Sequence, residues 1–206
     1  LPPPASFLPT VGWSILLLGL WVALASVKYA GHWRKRRDIL RMAAQAEQLQ
    51  QGIAVELVDR WRLAFGVRRA VQTRTSDRCA QAFTFGVWRP VIFIPRVMLE
   101  DLEVHQLSAV IGHEVAHIKR LDDLTIHLQN VLRAAFFFNP VLTIANNRIA
   151  ELREHCCDRL AIHCGKLSSR EFGESLLRAV SLEGAGRYNA PELPEHAVAG
   201  LGKASF

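Results

Sequence analysis

What the chain is short of narrows its class before any motif is read. Its 206 residues hold four cysteines, at positions 79, 156, 157 and 164, two of them adjacent and none in a C-x-x-C pair. That argues against a disulfide framework and for reduced, partly buried thiols in a reducing, cytoplasmic compartment. Recognisable DNA-reading helices are also missing, so the net charge of +6 is not read as a nucleic-acid footprint and no direct nucleic acid binding is expected. Between Val11 and Val27 there is no charged residue. No positive cluster precedes that run, as a secretory signal requires; the block Arg34, Lys35, Arg36 and Arg37 follows it instead. Starting at Leu1 rather than Met and stopping at Phe206 without a clear ending, the chain reads as a piece of a longer polypeptide.

The uncharged run is long enough to matter. Seventeen helical residues span about 26 Å, and Lys28 and Tyr29 extend this by snorkelling. Trp13 and Trp33 suit the two interfaces. A transmembrane helix is expected over 11–30, with an extracytoplasmic stub over 1–10 and a basic juxtamembrane segment over 31–51. The excess of positive charge after the helix places everything downstream in the cytoplasm, at the inner membrane, with the lipid bilayer as a partner.

Apolar spacing predicts helix from Ile39 to about Phe65, punctuated by Gly52 and Gly66. Strand-like runs follow at Val71–Thr75, Ala82–Phe85 and Val91–Ile94, the last two joined through Gly86 and Pro90. These suggest a small antiparallel sheet, either a plain cover for the core or an edge to which an extended peptide could add. A helix is expected from about Leu102, with Asp101 as N-cap, to Arg120. A second runs from Asp122 to Phe138. A third starts from Asn139 as N-cap and Pro140 at its first position, and continues to about His163, with Gly165 as the stop. The apolar run Ala134–Asn147 is interrupted by Pro140 and is read as a buried helical corner, not a second span.

On the first of these helices stands His113-Glu114-Val115-Ala116-His117. Composition alone would produce H-E-x-x-H roughly 0.02 times in such a chain, so the match is treated as signal. Residues i and i+4 lie about 40° apart around a helix, which lets both imidazoles reach one metal ion. Glu114 then stands beside the metal as general base for a water whose pKa zinc lowers to roughly 7. Leu107, Ile111, Val115 and Ile118 form a separate apolar stripe, so the helix has a core face and a chemistry face. His105 and His127 are off the spacing and are read as surface histidines.

A hydrolytic zinc site takes three protein ligands. Glu154 is the leading third candidate, on a helical stripe with Asn147, Glu151 and Asp158; His155 and Cys157 can bind zinc but point elsewhere. Several spaced motifs then resemble the BlaR/MecR-type family of integral-membrane zinc metallopeptidases, of the gluzincin group. They are Phe85-Gly86, Arg89-Pro90-Val91-Ile92 with Pro95, His113 to Arg120 with Asp122, Asn139-Pro140, and Glu151-Leu152-Arg153-Glu154 leading to Cys157-Asp158. The chain departs from the family's usual pattern at Asn139 and Val141-Leu142-Thr143.

The resemblance implies an α+β, mainly helical zincin-like metallopeptidase domain with a small antiparallel sheet, over 52–190, with a linker over 191–206. It implies one zinc ion held by His113, His117 and Glu154, Glu114 as general base, and Asp158 orienting a ligand histidine, taken as His113. Substrates would be proteins or peptides, either the protein itself or a cytoplasmic repressor. Asn147, on the ligand face, is the expected donor to the developing oxyanion, with Arg148 as the other choice. Two further readings stay open: a zinc-holding signal module without hydrolysis, and a processing peptidase of the HtpX or CAAX-prenyl-protease type.

Overall fold

A computed structural model describes residues 7–77 and 81–186. Cys79, residues 1–6 of the stub expected over 1–10, and the linker expected over 191–206 lie outside the described residues. The first element, α1 (Phe7–Gln45), is one unbroken helix of 39 residues, so the expected span and the basic segment after it are continuous. Its apolar half is a candidate membrane-spanning helix. Leu16, Leu17, Leu18 and Leu20 are all exposed there, and a helix that is apolar all round needs surroundings as apolar as itself. Trp13 and Trp33 are exposed too, separated by a rise of about 30 Å.

The far end of α1 is built into the protein. Ile39, Met42 and Ala43 pack against Phe83 and Phe93, whose rings stack 4.7 Å apart. The helix expected from Ile39 to Phe65 is therefore interrupted: β1 (Glu47–Leu49) pairs with β2 (Gln72–Ser76) before α2 (Ile53–Ala64) begins. Three residues carry too short a pattern to reveal a strand whose partner lies at least 24 residues away, Leu49 opposite Thr73 being the nearest pair.

Two further strands, β3 (Phe83–Phe85) and β4 (Val91–Pro95), complete a sheet of order β1-β2-β4-β3. It was expected to be antiparallel and is mixed: β2 and β4 run parallel, the other pairs antiparallel. The cause is that β3 takes the outer edge. The turn at Gly86 brings the chain back on the inner side, so β4 runs the same way as β2. Gly86 has φ +99°, and a Cβ there would sit 2.8 Å from the Arg89 carbonyl oxygen, so this turn requires glycine.

A helical layer covers the sheet: α3 (Arg96–Asp101), α4 (Val104–Arg120), α5 (Asp122–Ala135), α6 (Pro140–Gly165) and α7 (Ser169–Gly186). At its centre, α4 touches α2, α5, α6, α7 and β3. Leu107, Ile111 and Val115 of α4 close the core over Ile92 and Ile94 of β4, with Leu57 from α2. The N-cap of α4 is Glu103, not Asp101, because Glu103 and Gln106 form a reciprocal capping box. Asn139 caps α6 as expected, its side chain accepting from the Val141 N–H at 3.0 Å. No helix was expected after Gly165, yet Ser168 and Glu171 cap α7 reciprocally, and its Phe172, Ala179 and Leu182 are buried.

The corner between α5 and α6 is also corrected. Expected to be buried, it is exposed, with Phe138 at 64% and Ile144 at 69%. It stands beside the apolar half of α1. The two helices run antiparallel: the Trp21 indole N–H donates to the Ala135 carbonyl at 2.9 Å, Tyr29 meets His127 at 3.4 Å, and Arg36 pairs with Asp123 at 3.4 Å.

Candidate active site

The site begins with a close approach. Trp61 of α2 donates to Ser108 Oγ at 3.0 Å, and its ring lies against α4 and α6 where both carry glycine. A Cβ on Gly112 would meet the ring at 2.7 Å, and one on Gly165 at 2.4 Å. Small residues let α4 and α6 pack tightly enough for facing side chains to meet.

What meets is the expected set. His113 and His117 turn their Nε2 atoms toward each other, 3.1 Å apart. Glu154 Oε2 reaches in from α6, 3.4 Å from one and 3.7 Å from the other. The three donor atoms are close enough together to hold one metal ion. The outer ring nitrogens are engaged as well: His113 Nδ1 lies 2.8 Å from Asp158, and His117 Nδ1 lies 2.8 Å from Asp122. With each Nδ1–H donated to a carboxylate, each Nε2 faces the centre, and in the metal-free chain His113 keeps there a second proton that a metal ion would displace.

The electrostatics of the metal-free chain agree. Burial opposes the charged form of His113, but the Asp158 and Glu154 carboxylates outweigh it and hold its pKa up at about 10. Burial likewise works against charge on Glu154, yet His113 and His117 win and keep this carboxylate below its ordinary range. Glu114 is different. It is buried, and desolvation raises its pKa against the pull of His117 and His113, with Thr84 of β3 as its hydrogen-bond partner. A carboxyl poised upward in this way is a better proton acceptor near neutral pH.

Sequence reasoning assigned no role to three residues that the structure puts here. Asp122 follows Leu121, whose φ of 62° turns the chain sharply at the end of α4 and swings Asp122 back onto His117. A left-handed leucine gives no glycine signal, so nothing local announced the turn. Arg153, buried on α6, bonds Gln129 at 2.6 Å and holds its Nε 4.0 Å from Asp122. Thr84 comes from a strand distant in sequence. Cys157 is buried beside His117 and Asp122, whose donor atoms with its Sγ form a second group close enough to hold an ion; without one, burial and the charge of Asp122 push its thiol pKa far up, and it donates to Asp122 at 3.4 Å. The three described cysteines are free thiols, as expected.

Asn147 stands apart. It is exposed, seven residues before Glu154, which is about 10 Å along α6. His105 is exposed and pairs only with Glu103 among the described residues, while His127 serves Tyr29.

Beside the cluster, β3 is a sheet edge: it pairs with β4 on one side, and among the described residues no strand lies on the other. Arg69 ties the loop beyond it to α4, donating to the carbonyls of Val87 and Ile118.

Comparison with known proteins points the same way. A family model described as BlaR1 peptidase M56 matches residues 4–196. The methicillin resistance mecR1 proteins of Staphylococcus aureus and Staphylococcus epidermidis are 30% identical over 112 residues, 52% of this chain and 19% of theirs. The regulatory protein BlaR1 of Bacillus licheniformis is 28% identical over 101 residues, 48% of this chain and 17% of its own. The matched stretch thus spans less than a fifth of these curated relatives.

Proposed function

Because this chain belongs to the BlaR1 peptidase M56 family, we propose that it is a zinc metalloendopeptidase tethered to the membrane by α1. The observation that carries this reading is the convergence of three donor atoms, each histidine backed by its own carboxylate, beside a buried glutamate. His113 and His117 would hold the ion through Nε2 and Glu154 through a carboxylate oxygen. Asp158 and Asp122 fix the tautomer and tilt of the two rings. When bound, zinc supplies Lewis acidity, polarising a carbonyl oxygen and making water more acidic. Glu114 takes the proton from the attacking water and delivers it to the leaving amine. The peptide lies along the open edge of β3 as an added strand, which puts its backbone beside Thr84 and Glu114. We assign no step to Asn147, since a donor to the developing oxyanion must stand within about 3 Å of it.

The basic block after the span keeps the 52–190 domain on the cytoplasmic side, and the substrate is a protein there, either a regulator or the chain itself. A non-hydrolytic zinc module would have no use for a buried general base, and Glu114 weighs against that reading.

The test is zinc content and cleavage of a protein substrate by the wild type, Glu114→Ala and Glu154→Ala. Zinc should survive in Glu114→Ala while cleavage falls by about 10²-fold or more. Glu154→Ala should lose most of its zinc. Undiminished proteolysis by Glu114→Ala would sink the mechanism, and full zinc retention by Glu154→Ala would remove the third ligand.

A further inference from the structure

Between α1, the end of α5 and the start of α6 lies a cleft of about 140 Å³ that the peptidase chemistry does not use. Lys28, His32 and Arg133 line it together with Phe136, Phe137 and Leu142. Among the described residues no carboxylate borders it, and burial together with the charges of Lys35 and Arg133 lowers the pKa of His32, so that ring resists a proton until an anion is beside it. None of the three basic side chains has an acidic partner among the described residues. Elsewhere on the same two helices a cation is matched, as Arg36 is by Asp123. Gathering cations without a counter-ion is unfavourable unless an anion joins them.

The vertical order of the lining says which kind of anion. Tyr29 is level with His127 and Trp21 with Ala135, so α5 descends alongside the apolar half of α1. Lys28 and His32 stand at the mouth of the cleft. Phe136 and Phe137 follow directly on Ala135, level with Trp21, about 10 Å deeper and inside the uncharged run. Arg133 starts low and shares the lining with Lys28 and His32, as a snorkelling side chain does. A cationic mouth above an apolar floor, open on the flank of an apolar helix, has the layout of a headgroup with its acyl chains.

We propose that this cleft binds one anionic phospholipid, its phosphate held by Lys28, His32 and Arg133 and its acyl chains laid along Phe136, Phe137 and Leu142. The proposal rests on α1 spanning a bilayer. The exposed Phe138 and Ile144 then continue the same acyl-chain contact, so the corner between α5 and α6 dips into the leaflet on the basic side of α1.

The test uses the full chain in detergent, offered phosphatidylglycerol or phosphatidylcholine, with retained lipid counted by native mass spectrometry. The wild type should hold one phosphatidylglycerol per chain, with about a tenfold preference over phosphatidylcholine. Lys28→Gln with Arg133→Gln should erase that preference. Arg34→Gln with Arg37→Gln removes as much charge, all of it from α1, without touching the cleft, and should keep the preference. Equal effects of the two double variants would reduce the preference to diffuse charge and overturn the site. Displacement of the lipid by excess inorganic phosphate would overturn it as well, showing a pocket for free anions. Flotation with vesicles of phosphatidylcholine alone checks the span separately. A wild type that does not float refutes the membrane reading and the lipid site with it, whereas floating without lipid preference refutes the lipid site only.

Discussion

Each histidine of the candidate site has its own carboxylate, and the two carboxylates arrive by different routes. Asp158 is presented from the same helix as Glu154, one turn on, while Asp122 arrives through the reversal at Leu121. If both fix ring tautomers, Asp158→Asn and Asp122→Asn should each weaken zinc binding about 10- to 100-fold without abolishing it, as read by competition with a chromogenic chelator. Unchanged affinity in either would mean that its carboxylate serves folding alone. His113 supplies a pH prediction. In the metal-free chain its pKa is raised from 6.5 to about 10, so the folded state holds this proton more tightly than the unfolded state. The resulting stabilisation is complete below about 6.5 and is lost as pH rises through about 10. Thermal midpoints of chelator-treated protein should therefore fall across that window, and His113→Gln should flatten the slope. A midpoint rising with pH there would contradict the assigned charge state.

At the scale of elements, the site depends on how near α4 and α6 can come to each other and to α2. Gly112 is the position that tests this. Its ideal Cβ would lie 2.7 Å from the Trp61 ring, and that ring is held by its bond to Ser108. Gly112→Ala should cost about 1–3 kcal/mol in urea unfolding despite the better helix propensity of alanine. A change within about 0.5 kcal/mol would mean that Trp61 shifts freely. The elements themselves were read from sequence with uneven success. Strong local signals located α6, through Asn139 and Pro140, and three of the four strands to within a residue or two. β1 and the parallel pairing of β2 with β4 were missed because both depend on a partner strand, not on local pattern. The exposed corner after α5 was missed because apolar residues usually turn inward, and here they stay exposed beside the apolar half of α1.

Over the whole molecule, α1 joins two environments in one rigid rod. Its first half is exposed and apolar, while Ile39, Met42 and Ala43 are part of the packing over Phe93. The site is made by α4 and α6, beyond that seam. Removing residues 1–30 should therefore abolish flotation with vesicles yet leave zinc content near one per chain; loss of zinc would show that the span itself holds the site together. The sequence by itself placed the candidate site and the candidate span: H-E-x-x-H is set by a helical repeat, Glu154 and Asp158 by another, and the uncharged run by its length. Those are local periodicities, and an isolated chain carries them. Tertiary structure alone decided that Asp122, Thr84 and Arg153 join the site and that Lys28, His32 and Arg133 share a cleft. The reason is physical: such contacts arise where a reversed turn or a helix crossing brings distant residues together, and no pattern within either segment encodes the distance between them.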